Sequence, residues 1–256
     1  MMIHPTAIVH PDTDIDPAVT IGPYAVVGPF VSIAEGSSIG AHTTVASYTR
    51  IGRGNRIYSY ASLGEAPQDK KYQGEETWLE IGDHNVIREF VTLNRGTQAG
   101  GGVTRIGHDN WIMAYVHVAH DCLLGNHIVL ANNASLAGHV TVEDYAVFGG
   151  FAVVHQYCRI GAYAMLAANA RVSKDVLPYL MCGPDGRPHG LNVVGLSRNG
   201  FDDETIAALK RSYRVIYRDH LPLHEAIKKL EEEAKTVPSV RRLLEFIPKS
   251  TRGIIR

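Results

Sequence analysis

Aliphatic side chains recur at every sixth position along most of this chain. From Ile3 the series runs Ile3, Val9, Ile15, Ile21, Val27, Ile33, Ile39, Val45, Ile51, Ile57 and Leu63 without a polar member. It lapses through "EAPQDKKYQGEETWLE", returns in step at Ile81, Ile87 and Leu93, and lapses again through "GTQAGGGVTR". It resumes one residue out of step at Ile106 and continues through Ile112, Val118, Leu124, Leu130 and Leu136 to Val172. Glycine often follows the aliphatic residue, as at Gly22, Gly40 and Gly125, and a small residue commonly stands four beyond it, as at Ala7, Ser37 and Ala134.

A period of six matches neither the 3.6 of a helix nor the 2 of an ordinary strand, so it belongs to a repeat architecture. Hexapeptide repeats predict a parallel β-helix, in which each repeat supplies a short strand and a tight turn. The aliphatic side chain points inward, glycine is expected to permit the turn, and the small residue leaves room for packing. The two lapses predict loops extruded at about 65–80 and 96–105, where binding residues tend to sit on a rigid scaffold. After Val172 the period ends. "FDDETIAALKRSYRVIYRDH" then has acidic residues in its first turn and Ile206, Leu209, Tyr213, Ile216 and Tyr217 at the spacing of a buried helical face. "LHEAIKKLEEEAK" and "VRRLLEFI" predict further helices. The expected organisation is a mostly β fold: a solenoid over 1–190 and an α-helical domain over 191–256 that blocks its open end.

Stacking gives meaning to the stretch "HVAHDCLLGNHIVLANNASLAGHV" at 117–140. If the coil has three sides, one turn takes three hexapeptides and stacks on the next at about 4.8 Å. His120 then lies beside Gly138 and Gly138 beside Gln156, while Asp121 lies beside His139. His117 precedes His120 by half a repeat, and His155 flanks Gln156. An imidazole, a carboxylate and a glycine whose N–H can approach a ligand closely form a site-like group. Solvent-facing turn histidines are one alternative. A zinc site in which His117, His120 and His139 converge across subunits is another. Cys122 and Cys158 fall two coils apart at small-residue core positions, with Val140 between them, as buried spacers.

Composition narrows the field. With 25 basic and 26 acidic residues among 256, the formal charge of -1 provides no global field for nucleic acid or a membrane surface. Three separated cysteines fit no disulfide framework and suggest a reducing compartment. The start "MMIHPTAIVHPDTDIDP" has no basic segment followed by an apolar one, and no apolar run approaches the roughly 18 residues that span a bilayer. A cytoplasmic protein without stable membrane insertion is expected.

The chain resembles the UDP-N-acetylglucosamine O-acyltransferase family, which begins lipid A biosynthesis. The resemblance covers essentially the whole sequence and rests on the ordered set "QDKKYQGE", "IGDHNVIREFVTLNRGT", "HVAHDCLLGNHIVLANNASLAGHV", "VVHQYCRIGA", "GLNVVGLSRNGF" and "STRGIIR". It implies a left-handed parallel β-helix with a C-terminal α-helical domain, assembled as a homotrimer with active sites between neighbouring coils. It implies transfer of an (R)-3-hydroxyacyl chain from acyl carrier protein, where phosphopantetheine carries the donor, to the 3-hydroxyl of UDP-N-acetylglucosamine. No separate cofactor and no metal are implied. By the resemblance His120 is the catalytic base, Asp121 orients it, and the Gly138 N–H meets the charge developing on the thioester oxygen. Gln68, Asp69, Lys71, His117, His139, Gln156, Asn192 and Arg198 match substrate-binding positions, and Ala168 matches the residue that closes the acyl groove. Lys210, Arg211, Arg214, Arg218, Arg241 and Arg242 are the expected docking surface for an acidic carrier protein.

Two positions depart from the family pattern: Asn94 stands where a histidine is expected, and Asn199 where a second arginine is. An N-acyltransferase acting on an amino-sugar nucleotide is a competing reading, although such enzymes usually carry a separate N-terminal domain and here the repeats begin at Ile3. A short-chain acetyltransferase using coenzyme A is a second competitor. A γ-type carbonic anhydrase, with zinc between subunits of the same solenoid, is a third. A purely structural or ligand-binding solenoid would need no polar cluster at one height.

Overall fold

The structure, a computed structural model, describes residues 2–256. Short strands, most of them two residues long, wind into a three-sided parallel β-helix. The first sheet has eleven strands beginning at Met2–Ile3, the second nine beginning at Ile8–Val9, and the third eight beginning at Asp14–Ile15. Up to Val172, each strand turns one residue of the sixfold series inward. Ile33, Leu63, Ile87, Leu130 and Phe148 are fully buried on the axis, each burial stabilising the coil by about 1.5–3 kcal/mol.

The register explains the lapses in the period. Opposed residues stand eighteen apart where no loop intervenes, as Ile3 opposite Ile21. They stand thirty apart across the first loop, Ile57 opposite Ile87, and twenty-five apart across the second, Ile87 opposite Ile112. The first excess over eighteen is a multiple of six and leaves the count in step; the second is one more than six and shifts it. Strands Trp78–Ile81 and Val103–Ile106 begin inside the stretches where the count fails and continue the third sheet.

The corners turn differently from the sequence expectation. The residue three beyond the inward aliphatic adopts a left-handed backbone, and it is seldom glycine: Tyr24, Phe90, Asp121, His139 and Tyr157 have φ of 58°, 59°, 60°, 62° and 64°. The glycine after the aliphatic residue is needed for proximity instead. A Cβ on Gly40 would lie 2.6 Å from the Ser59 backbone nitrogen of the next coil. The left-handed residues stack ring on ring up the corners, as Tyr24, His42, Tyr60, Phe90 and Tyr115 do at centroid spacings of 4.8–5.1 Å. At the corner between the third and first sheets the expected small residue is replaced by a buried ladder of Asn55, Asn85 and Asn110. Asn55 Oδ1 accepts from the Asn85 amide, and Asn85 Oδ1 accepts from Asn110 N–H.

The last coil leads into an antiparallel pair, Leu180–Cys182 with Pro188–Leu191, which the sequence pattern does not announce. Four helices follow: α1 (Val193–Arg198), α2 (Asp203–Tyr217), α3 (Leu223–Thr236) and α4 (Pro238–Phe246). The helix expected after Phe201 is α2, whose N-cap Asp202 accepts from Thr205 N–H at 2.7 Å. Ile206, Leu209 and Ile216 of α2 pack with Leu230, Leu243 and Phe246 into a second core that reaches Leu177 and Tyr179 of the solenoid. The final residues return to the coil: Ile254 bridges Asp175, and Ile255 joins the solenoid core. Among the described residues no helix is long and apolar enough to cross a membrane.

Candidate active site

His120 and Asp121 form the corner between strands His117–Val118 of the second sheet and Leu123–Leu124 of the third. Asp121 has the left-handed backbone of the other corners, but the second loop lies over it and its side chain is wholly buried. His120 Nδ1 lies 2.7 Å from Asp121 Oδ2. An ionised carboxylate only accepts, so Nδ1 carries the proton and Nε2 keeps its lone pair. His139, one coil on, meets the His120 ring edge to face at 5.1 Å, and its Nε2 lies 3.6 Å from Asp121 Oδ2. Its other face stacks on Tyr157 at 4.4 Å.

Gly138 sits against the free edge of the base. A Cβ there would lie 2.8 Å from His120 Nε2, so only glycine leaves the backbone this close. At several corners the N–H of the second residue past the inward aliphatic is donated to a side chain of the next coil. At Arg53 and Asn126 this N–H is met by a carboxylate of the next coil, Asp83 Oδ1 at 2.7 Å and Asp144 Oδ1 at 2.8 Å. At Gly138 no protein acceptor meets it among the described residues. The same donor that binds an anionic oxygen elsewhere in the solenoid is open beside the base.

His117 points outward from the second sheet and shares a 2.7 Å hydrogen bond with Thr92 Oγ1. Burial, helped by the charge of His120, holds its proton affinity below the ordinary histidine range. Burial also lowers His139, against the opposing charge of Asp121; the Asp69 carboxylate of the first loop adds a smaller opposing effect. Gln68 and Lys71 are exposed on that loop, and Gln156 is exposed one coil beyond Gly138. The loop is tied down by Arg95, which donates to Tyr72 Oη and to Gly64 O. Asn94 lies buried under it, its amide donating to Glu65 O and Ala66 O, so this departure serves the loop base.

Three residues stand elsewhere in the same chain. Asn192 caps α1, accepting from Gly195 N–H and donating to Tyr163 O, at the corner between the third and first sheets. Arg198 is exposed at the end of α1, where Asn199 forms the C-cap. Ala168 is exposed at the corner between the first and second sheets. From it the outward face of the second sheet runs back towards His117 past Arg171, Val153 and Ser135. A depression of about 370 Å³ on this face is lined by Val153, His155, Arg171 and Ser173.

Sequence reasoning missed the second loop's share of the site. Thr97 N–H and Thr97 Oγ1 both donate to Asp121, at 2.7 Å each, and Thr104 Oγ1 accepts from Asp121 N–H at 2.7 Å. His120, Asp121 and His139 bring possible ligand atoms within 4.8 Å of one another. The carboxylate is nevertheless engaged by three hydrogen bonds, two from Thr97 and one from His120, which suits orientation of the imidazole better than metal ligation. Burial pushes the Cys122 and Cys158 thiols up to about 12 and about 11, which suits spacers and not nucleophiles.

A solenoid of hexapeptide coils carrying an oriented imidazole at one corner defines a hexapeptide-repeat transferase. The bacterial transferase hexapeptide repeat matches residues 12–47 and 104–138, and the family described as UDP N-acetylglucosamine O-acyltransferase, domain 2, matches 175–255. The acyl-(acyl-carrier-protein)–UDP-N-acetylglucosamine O-acyltransferase of Xanthomonas oryzae pv. oryzae is 52% identical over 208 residues, covering 80% of this chain and 79% of that one. That of Thiobacillus denitrificans is 53% identical over 203 residues, 79% of each. Among solved structures, the UDP-N-acetylglucosamine acyltransferase of Francisella novicida superposes with a TM-score of 0.98 at 42% identity, covering 100% of this chain and 94% of that one. The Moraxella catarrhalis enzyme does so with 0.97 at 43%, covering 100% of each. The chain belongs to the UDP-N-acetylglucosamine O-acyltransferase family.

Proposed function

We propose that this protein transfers an (R)-3-hydroxyacyl chain from the phosphopantetheine thioester of acyl carrier protein to the 3-hydroxyl of UDP-N-acetylglucosamine, the first step of lipid A biosynthesis. The observation that carries the reading is the oriented His120, its Nδ1 committed to Asp121 and its Nε2 edge lying against Gly138, whose N–H has no protein acceptor among the described residues. A sugar hydroxyl is a poor nucleophile, and a positioned base contributes roughly 10² to 10⁴ in rate. His120 Nε2 takes the hydroxyl proton as the oxygen attacks the thioester carbonyl. The tetrahedral oxyanion is held by the Gly138 N–H. Collapse expels the pantetheine thiolate, which takes the proton back from the imidazolium, and Asp121 stabilises that cation while it lasts.

In this reading Gln68, Asp69, Lys71, His117, His139 and Gln156 bind the two substrates; Asp69 acts on His139 across the site and Gln156 lies one coil beyond Gly138. Asn192 and Arg198 lie on another corner of the chain, so they reach a nucleotide at His120 from a neighbouring subunit of a homotrimer. The exposed ring stack of Tyr24, Tyr60, Phe90 and Tyr115, each 43% to 58% exposed, supports such an assembly. For the carrier protein, Arg211, Arg214 and Arg242 are paired with Glu233, Asp219 and Glu143; of the three without ion-pair partners among the described residues, Arg241 is engaged by the Ala234 and Lys235 carbonyls, which leaves Lys210 and Arg218. Docking centres on those two.

His120→Ala is expected to cut turnover by roughly 10² or more with the assembly intact, because a base is lost and no core contact. Turnover of the variant within a few-fold of the parent would remove the mechanism.

A further inference from the structure

We propose that Thr97 is a positioning residue of the transfer reaction: it clamps both oxygens of Asp121, and through that carboxylate sets the orientation and basicity of His120. The proposal rests on His120 being the general base. Asp121 is the one carboxylate of the cluster whose side chain is wholly buried, and burying such a charge without donors costs several kcal/mol. Two of its three donors come from one residue. Thr97 N–H reaches Oδ1 and Thr97 Oγ1 reaches Oδ2, both at 2.7 Å. A clamp on both oxygens fixes the plane of the carboxylate, and His120 Nδ1 takes the remaining site on Oδ2.

The hydroxyl's direction is settled by its other contact. Gly100 N–H donates to Thr97 Oγ1 at 3.1 Å, and an amide cannot accept, so the single hydroxyl proton goes to Asp121. Gly102 N–H holds Thr97 O at 2.8 Å. Gly100 itself packs against the carboxylate, since a Cβ there would collide with Asp121 Cγ. The second loop is therefore folded around this one anion. Both Thr97 donors come from this inserted segment.

Removing one donor leaves the carboxylate more basic and freer to rotate. Its hold on the imidazolium strengthens on average while the aim of Nε2 loosens. The charged or titratable groups facing His120 are Asp121, His139 on the next coil and His117 on its own strand, with Asp69 of the first loop reaching His139. All four remain in Thr97→Val, which keeps the backbone donor and the volume.

The test measures kcat, both KM values and the pH profile of kcat in the full protein for Thr97→Val, Thr97→Cys and Thr97→Ser, with His120→Ala alongside. In Thr97→Val, kcat should fall about tenfold with both KM values within twofold of the parent, and the acid limb should move up by about half a pH unit. Thr97→Ser should restore both. Thr97→Cys, a weaker donor of similar size, should fall between them, and carries the test if the valine variant does not fold. A valine or cysteine variant with parental kcat and acid limb, changed only in melting temperature, overturns the proposal while leaving His120 as base. An active His120→Ala instead overturns the functional reading beneath it.

Discussion

Three imidazoles meet at one corner of this solenoid, and their surroundings assign them different work. His120 is oriented by a buried anion. His117 and His139 have their proton affinities lowered chiefly by burial, so near neutral pH they are uncharged and can donate or accept towards a sugar nucleotide without repelling a protonated His120. The same burial has a cost in acid. An unfolded chain protonates these rings near the ordinary value of about 6.5, whereas the folded chain resists until lower pH. Their stabilising contribution is thus full above that value and drains away as pH falls towards the depressed folded values. Melting temperature should drop between about pH 7 and about pH 5, and should drop less steeply in His117→Asn, which keeps a polar partner for Thr92. Parallel curves for the two proteins would place the acid sensitivity in other groups.

At the scale of the repeat, the inward aliphatic series is legible in the sequence because each coil buries the same position, and eighteen-residue stacking places Gly138 beside His120 and Asp121 beside His139 from spacing alone. The glycines mislead: they stand where neighbouring coils come close, while aromatic and histidine residues take left-handed turns with stacking on the next corner to offset the strain, and asparagine and aspartate tolerate that backbone by themselves. Thr97 is invisible in the sequence because its link to Asp121 depends on the path of an irregular loop, which no period encodes. The Asn55–Asn85–Asn110 ladder is easily passed over because a polar residue at a corner looks like turn chemistry. It is buried and shared between coils. Asn85→Ala would orphan Asn110 N–H and Gly107 O. At about 1–3 kcal/mol for each unsatisfied group, a loss of at least about 2 kcal/mol is expected, read as a lower urea midpoint. A midpoint close to the parent's would mean that water replaces the amide.

For the whole molecule, the base and the proposed end of the acyl groove lie on adjacent corners of the second sheet, joined by its outward face. Val153 and the depression beside it lie on the way. If Ala168 closes the groove, Ala168→Met should shift donor preference to chains shorter by several carbons and Ala168→Gly should relax it upward, each methylene being worth about 0.8 kcal/mol of burial. Donor competition assays read this directly, and identical profiles for parent and both variants would move the limit to another residue. The eighteen-residue register also bears on how the protein is made. Every strand of an uninterrupted coil waits for a partner only one turn further along the chain, so contacts are local and winding can follow synthesis from the N-terminus, coil after coil. Until synthesis nears completion the growing end offers a row of unpaired backbone groups, the kind of edge that recruits strands from other chains. Only when the helices fold and Ile254 and Ile255 dock beside Asp175 does that template close, so a ribosome that stalls late leaves an aggregation seed with its catalytic corner already built.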